Sequence, residues 1–149
     1  MRAREVRRRI RDEHECLRAI LFSIRTLGRS VLDGDPSHTP SLRIEGEALH
    51  EQLLEHLRWE DIYLAPTLRR ARRWGRERAA QLDRDHREQR ELLDYTLAAL
   101  RDSTRPALAL ARNMIDLVEL LLEDMADEDA LLRDERIPWD ANEDDPRSR

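Results

Sequence analysis

The sequence predicts an all-α protein, an up-down-up-down four-helix bundle, and three observations carry that expectation. The composition is 40% hydrophobic and 40% charged but only 4% aromatic, with four Gly and six Pro in 149 residues. Strand formers and turn residues are therefore scarce, while Leu, Ala, Arg and Glu abound. Apolar residues recur at steps of three, four and seven through four long stretches, the signature of helices with one face turned inward. Short, punctuated segments separate those stretches, which favours antiparallel neighbours joined by short loops. A chain of this length forms one domain with a single core.

The first helix follows from Val6, Ile10, Leu17, Leu21, Ile24 and Val31 and runs from near Ala3 to Leu32, stopping at Asp33-Gly34. GDPSHTPS, Gly34 to Ser41, reads as a loop holding an exposed His38, with Ser41 placed to cap the next helix. The second helix carries Leu49, Leu53, His56, Glu60, Tyr63 and Thr67 on one seam. It is expected to be bent by Pro66 and to end near Arg73, before Gly75. A third, from Glu77 to Asp102, turns Leu82, His86, Gln89, Leu93 and Leu97 inward, and Ser103 to Pro106 breaks it. The fourth places Leu110, Leu117, Leu121, Asp124, Glu128 and Leu131 on one stripe and finishes before Pro138. Residues 1–138 thus form the bundle, and 139–149, WDANEDDPRSR, a polar acidic tail, disordered or loosely docked.

Composition also excludes functions. The single Cys16 has no internal disulfide partner, and the basic N-terminus lacks the apolar run of a signal peptide, so a cytoplasmic protein is expected. No apolar run approaches the roughly 20 residues of a membrane helix. All 27 basic residues are Arg, interspersed with 32 acids to a net charge of −5, which argues against a nucleic-acid partner. No Gly-rich phosphate loop is present, nor a Ser or Cys placed beside a base, so nucleophilic catalysis lacks support.

The informative residues are the polar ones on apolar seams. His14 follows Ile10 by four and precedes Leu17 by three, and so faces the core; the same arithmetic turns His56, Glu60, His86, Asp124 and Glu128 inward. Three imidazoles and three carboxylates then meet, with every helix contributing. Burying that many ionised carboxylates without compensation costs several kcal/mol each, so something positive is required among them. One or two divalent or trivalent metal ions meet the requirement, because His and carboxylate at i, i+4 present both donors to one centre, and the mixed set suits iron or manganese better than calcium. The competing reading is a hydrogen-bonded polar layer in which Arg90, one turn beyond His86, supplies the charge. Trp59 is expected to point away from the seam, Tyr63 to pack with its hydroxyl outward, Cys16 to be a small packing residue, and His50 to lie at the bundle's edge.

A lone inward His, then His-x-x-x-Glu followed by five residues and Pro, an inward His, and a residue-x-x-x-Glu pair on successive helices resemble the hemerythrin family, or HHE cation-binding domain, across about residues 10 to 138. The resemblance implies a four-helix bundle around non-haem di-iron, in proteins that carry or sense oxygen, handle peroxide or nitric oxide, or report iron levels. It implies His14, His56, Glu60 (bridging), His86 and Glu128 (bridging) as ligands. Two departures stand out. Leu82 and Arg90 flank His86 where the family has a second His on helix three, and Asp124 replaces the helix-four His. An asymmetric centre is therefore expected, with two metals, one, or none if Arg90 fills the space. Under the resemblance the partner is a small diatomic or peroxide ligand, and the extra carboxylate favours sensing or peroxide consumption, the one enzymatic activity implied, over reversible carriage. A metal-free helical interaction module is the alternative, and exposed Leu and Trp at helix ends are compatible with a homo-oligomer.

Overall fold

The computed structural model describes residues 1–139; residues 140–149, most of the expected tail, lie outside the described residues. Four long helices follow one another: α1 (Ala3–Leu32), α2 (Thr39–Arg69), α3 (Arg72–Arg101) and α4 (Ala107–Leu132), with a 3-10 turn (Pro36–His38) between the first two. Among the described residues there is no strand, and no helix is long and apolar enough to cross a membrane. α1 packs between α2 and α4, and α2 packs on α3, whereas α3 and α4 touch least among the helices adjacent around the bundle. The architecture is the expected all-α four-helix bundle.

Local chemistry accounts for the helix ends. The backbone N–H of Arg2 donates to Glu5 Oε2 at 2.9 Å, pairing an otherwise orphan donor at the start of α1. Gly34, at φ 103°, makes the turn that ends α1, a conformation in which other residues strain. Arg43 donates to the terminal carbonyls of Ala99 and Leu100, closing the C-terminus of α3 from the side of α2.

Three boundaries differ from expectation. Ser41 is not the cap: α2 begins at Thr39 with Pro40 in its first turn, where a missing N–H is harmless. Gly75 does not end α2. The chain breaks at Arg70 and Ala71, Arg72 takes φ 50°, and Gly75 lies buried inside α3. It is glycine because the α2–α3 corner is tight there. A Cβ at this position would collide with the Leu68 carbonyl oxygen and lie 2.7 Å from Ala71 Cβ. The fourth helix stops at Leu132, but Ile137 and Trp139 continue beyond it as buried residues, so the first tail residue is anchored in the core.

The core is divided. One apolar cluster, including Leu17, Leu21, Ile24, Leu49, Leu53, Leu57, Leu93, Leu117 and Met125, fills one end. A second, built from Val6, Ile10, Trp59, Leu64, Leu68, Leu82, Leu132, Ile137 and Trp139, fills the other. Trp59 is thus buried, contrary to expectation; its ring stacks under the Arg9 guanidinium at 4.5 Å and lies 4.7 Å from Tyr63. A layer of polar side chains separates the two clusters.

Candidate metal centre

His14 sits between Ile10 and Leu17, Glu60 between Leu57 and Leu64, His86 between Leu82 and Leu93, and Glu128 between Met125 and Leu132, all buried. Helical periodicity carries each polar side chain to the level where the two apolar clusters part. His14, Glu60 and His86 are 0% exposed, His56 5% and Glu128 9%. Water does not solvate this layer, so its polar atoms must find partners within it.

They converge on one another. His14, His56, Glu60 and Glu128 each offer a donor atom, and these atoms all lie within 4.8 Å of one another. His14 Nε2 is 3.1 Å from Glu128 Oε2 and 3.9 Å from Glu60 Oε1; His56 Nε2 is 3.3 Å from Glu60 Oε1. The two rings meet edge to face, centroids 5.1 Å apart. On the opposite side, His86 Nε2 is 3.1 Å from Glu60 Oε2 and 4.0 Å from Glu128 Oε1. The two oxygens of each central glutamate are thus shared out, one toward His14 and His56 and the other toward His86.

His86 Nε2 and Glu60 Oε2 lie within hydrogen-bond distance, but on the α1–α2 side proximity is not hydrogen bonding. His14 Nε2, His56 Nε2 and Glu60 Oε1 are buried and make no hydrogen bond among the described residues. Each such orphan costs about 1–3 kcal/mol in a dry interior. Three on different side chains, close to one point, could hold a cation with mixed nitrogen and oxygen ligands, and the residues present fit a metal.

Each histidine is held from behind by its other ring nitrogen. His14 Nδ1 is 2.8 Å from Asp129 Oδ1, His56 Nδ1 2.7 Å from Glu13 Oε2, and His86 Nδ1 2.7 Å from Asp61 Oδ1. Each of these carboxylates is in turn bound by an arginine: Arg18 on Asp129, Arg9 on Glu13 at 2.7 Å, and Arg90 on Asp61 at 2.5 Å. Spacing alone missed Glu13, Asp61 and Asp129. Their signal is adjacency, since each is the immediate chain neighbour of an inward residue: His14, Glu60 and Glu128.

Electrostatics follow burial. Desolvation, reinforced by the nearby Glu128 charge, raises the pKa of Glu60 well above its ordinary 4.5. Burial alone would lower His14, but the Glu128 and Asp129 carboxylates outweigh it and raise its pKa. For Glu13 and Asp129 burial pushes upward, yet their contacts with His56 and Arg9, and with His14 and Arg18, prevail and hold both below the ordinary value. These two are carboxylates at neutral pH and can only accept, so the Nδ1 atoms facing them carry the protons.

Two expected participants lie elsewhere. Asp124 is half-buried outside the four-residue cluster, accepting a hydrogen bond from Gln89 Nε2 at 2.7 Å. Burial pushes its pKa up to about 6, with Asp85, Glu128 and Asp127 adding to the effect against Gln89. It lines a cleft of about 520 Å³ between α3 and α4 that reaches Glu128, walled also by Trp74, Leu82, Asp85 and Asp127. Arg90 does not enter the centre; its side chain is 38% exposed and engaged with Asp61. Cys16 is exposed instead of packed. His50 lies at the bundle's edge, 4.0 Å from Asp94.

A comparison with family models matches residues 5–134 to the hemerythrin HHE cation binding domain. No match was found among curated proteins or among solved structures.

Proposed function

The chain belongs to the hemerythrin HHE cation-binding domain family, and from that premise we propose that it binds non-haem iron and uses it to sense or consume a small oxidant such as oxygen, peroxide or nitric oxide. One observation carries the reading: His14 Nε2, His56 Nε2 and Glu60 Oε1 are buried, unbonded and directed at a common point beside Glu128. In this reading His14, His56, Glu60 and Glu128 hold one iron. The second oxygens of Glu60 and Glu128, with His86, offer a sparser second position facing the α3–α4 cleft, where Asp124 stands. Iron held there supplies one-electron redox chemistry. The protein supplies the fixed imidazoles, the shared carboxylates and an apolar layer on either side that keeps bulk water out.

Neither residue that flanks His86 at the spacing of the family's second helix-three histidine supplies a ligand: Leu82 packs in the apolar cluster and Arg90 pairs with Asp61. The second position therefore has one nitrogen donor, and its coordination is incomplete without an added ligand or Asp124. Open coordination suits binding and turnover of an exogenous oxidant. The alternative, a metal-free interaction module with Arg90 as internal counter-charge, loses its counter-charge because Arg90 pairs with Asp61 at the surface. Protein expressed in iron-supplemented medium is expected to carry one to two equivalents of iron and to absorb in the near ultraviolet when oxidised. His56→Ala and Glu60→Ala should lose that iron. A wild-type protein free of iron after such growth rules this function out.

A further inference from the structure

The three carboxylates behind the histidines are more than surface ion pairs. We propose that Glu13, Asp61 and Asp129 are positioning residues of the metal centre, each fixing the proton of a neighbouring helix's histidine on Nδ1 so that the Nε2 lone pair faces the ion. The inference rests on the metal reading above and deepens it.

Connectivity is the first argument. Glu13 of α1 supports His56 of α2, Asp61 of α2 supports His86 of α3, and Asp129 of α4 supports His14 of α1. No carboxylate supports a histidine of its own helix, so each contact fixes both a ring and a helix pair. Geometry is the second. The three contacts measure 2.7–2.8 Å, the range of charge-assisted hydrogen bonds. The supporting carboxylates are partly sheltered: Glu13 is 27%, Asp129 20% and Asp61 36% exposed. An imidazole can offer Nε2 to a metal only when its remaining proton is on Nδ1, and an ionised carboxylate there enforces that tautomer and raises the ligand's basicity. The arginine behind each carboxylate occupies its other oxygen or its outer edge and keeps it from rotating away.

Cobalt(II) in place of iron gives a test without redox turnover. The wild-type protein, Glu13→Gln, Asp129→Asn and a control, Glu119→Gln, would be titrated with cobalt against a chelator while the visible d–d bands of the bound ion are recorded. Both substitutions preserve shape and remove the acceptor charge, and the control makes the same change of net charge away from any histidine. Glu13→Gln and Asp129→Asn should bind cobalt about 10–100-fold more weakly, with altered bands, while the control matches wild type. Arg9→Gln, at an exposed position, and Arg18→Gln, at a partly exposed one, serve if either variant does not fold, and should weaken binding severalfold. Wild-type affinity and wild-type bands in the variants overturn the positioning role. If the wild-type protein takes up no cobalt at all, the metal reading itself fails, an outcome distinct from the first.

Discussion

Glu60 is the residue whose replacement reports most directly on the buried layer. It is 0% exposed, and burial with the neighbouring Glu128 charge raises its pKa well above 4.5. In metal-free protein the folded state therefore keeps a proton on Glu60 that the unfolded chain has released. A raised folded-state pKa contributes stability that is complete below 4.5 and is lost as pH climbs through the folded value. Where the folded state holds one extra proton, unfolding free energy falls by about 1.4 kcal/mol per pH unit. His14, whose pKa is also raised, shares part of that proton, so the slope due to Glu60 should lie between about 0.7 and about 1.4 kcal/mol per unit. Glu60→Gln removes this dependence and keeps the volume. Urea unfolding of the metal-free proteins at stepwise rising pH above 4.5 should show the variant gaining on wild type by at most about 1.4 kcal/mol per pH unit until the folded-state pKa of Glu60 is passed. Added metal should reverse the order, because it stabilises the wild type by mass action and finds one ligand fewer in the variant. A difference between the two proteins that does not change with pH would refute the placement of a protonated acid in the core.

Two further substitutions test the surroundings. Asp124→Asn should stabilise the protein at pH 7. The raised pKa of about 6 means the wild type loses stability between 3.8 and about 6, nominally about 3 kcal/mol and, for a half-buried group, about 1–2. The advantage should vanish near pH 4 in thermal or urea unfolding, and its persistence there would reject the assignment. Gly75→Ala, ordinarily favourable in a helix, should instead destabilise by about 1–3 kcal/mol. The added methyl meets the Leu68 carbonyl and Ala71 Cβ; circular dichroism melts showing no loss would mean that the α2–α3 corner yields freely.

The fold was legible because four long amphipathic stretches leave little choice of architecture, and the inward faces of His14, His56, Glu60, His86 and Glu128 followed from their distance to Leu and Ile on the same helix. Periodicity resolves a face, not a side-chain direction. Asp124 shares the stripe of Glu128, yet its carboxylate turns to Gln89, and Arg90 follows His86 by one turn, yet reaches outward to Asp61. Trp59 was assigned to the surface by its offset from the seam, but a side chain that large folds back under Arg9 and joins the core. Gly75 illustrates a different limit. Glycine marks both helix ends and close backbone approaches, and only the position of Leu68 distinguishes the two. The supporting carboxylates eluded spacing rules because they act across helices, through distances that no single-helix pattern encodes.

Charge counting bears on how many ions the centre favours. Each outer carboxylate faces one arginine, so the three pairs are neutral as a group and leave the interior unbalanced. Were a metal bound, with the histidines neutral and the proton of Glu60 displaced, the interior would carry the two negative charges of Glu60 and Glu128 in a layer flanked by apolar clusters on both sides. One divalent ion would compensate them, and His14, His56, Glu60 and Glu128 are the residues that would hold it. A second divalent ion would add two positive charges that no further buried acid among the described residues offsets, since Asp124 is half-exposed and engaged with Gln89. It would gain stability only if Asp124 turned inward or an anionic ligand entered through the α3–α4 cleft. Under the proposed metal reading, occupancy of the second position would thereby be linked to ligand binding, the coupling that a sensor or oxidant-consuming centre requires and a carrier that must release its ligand intact does not.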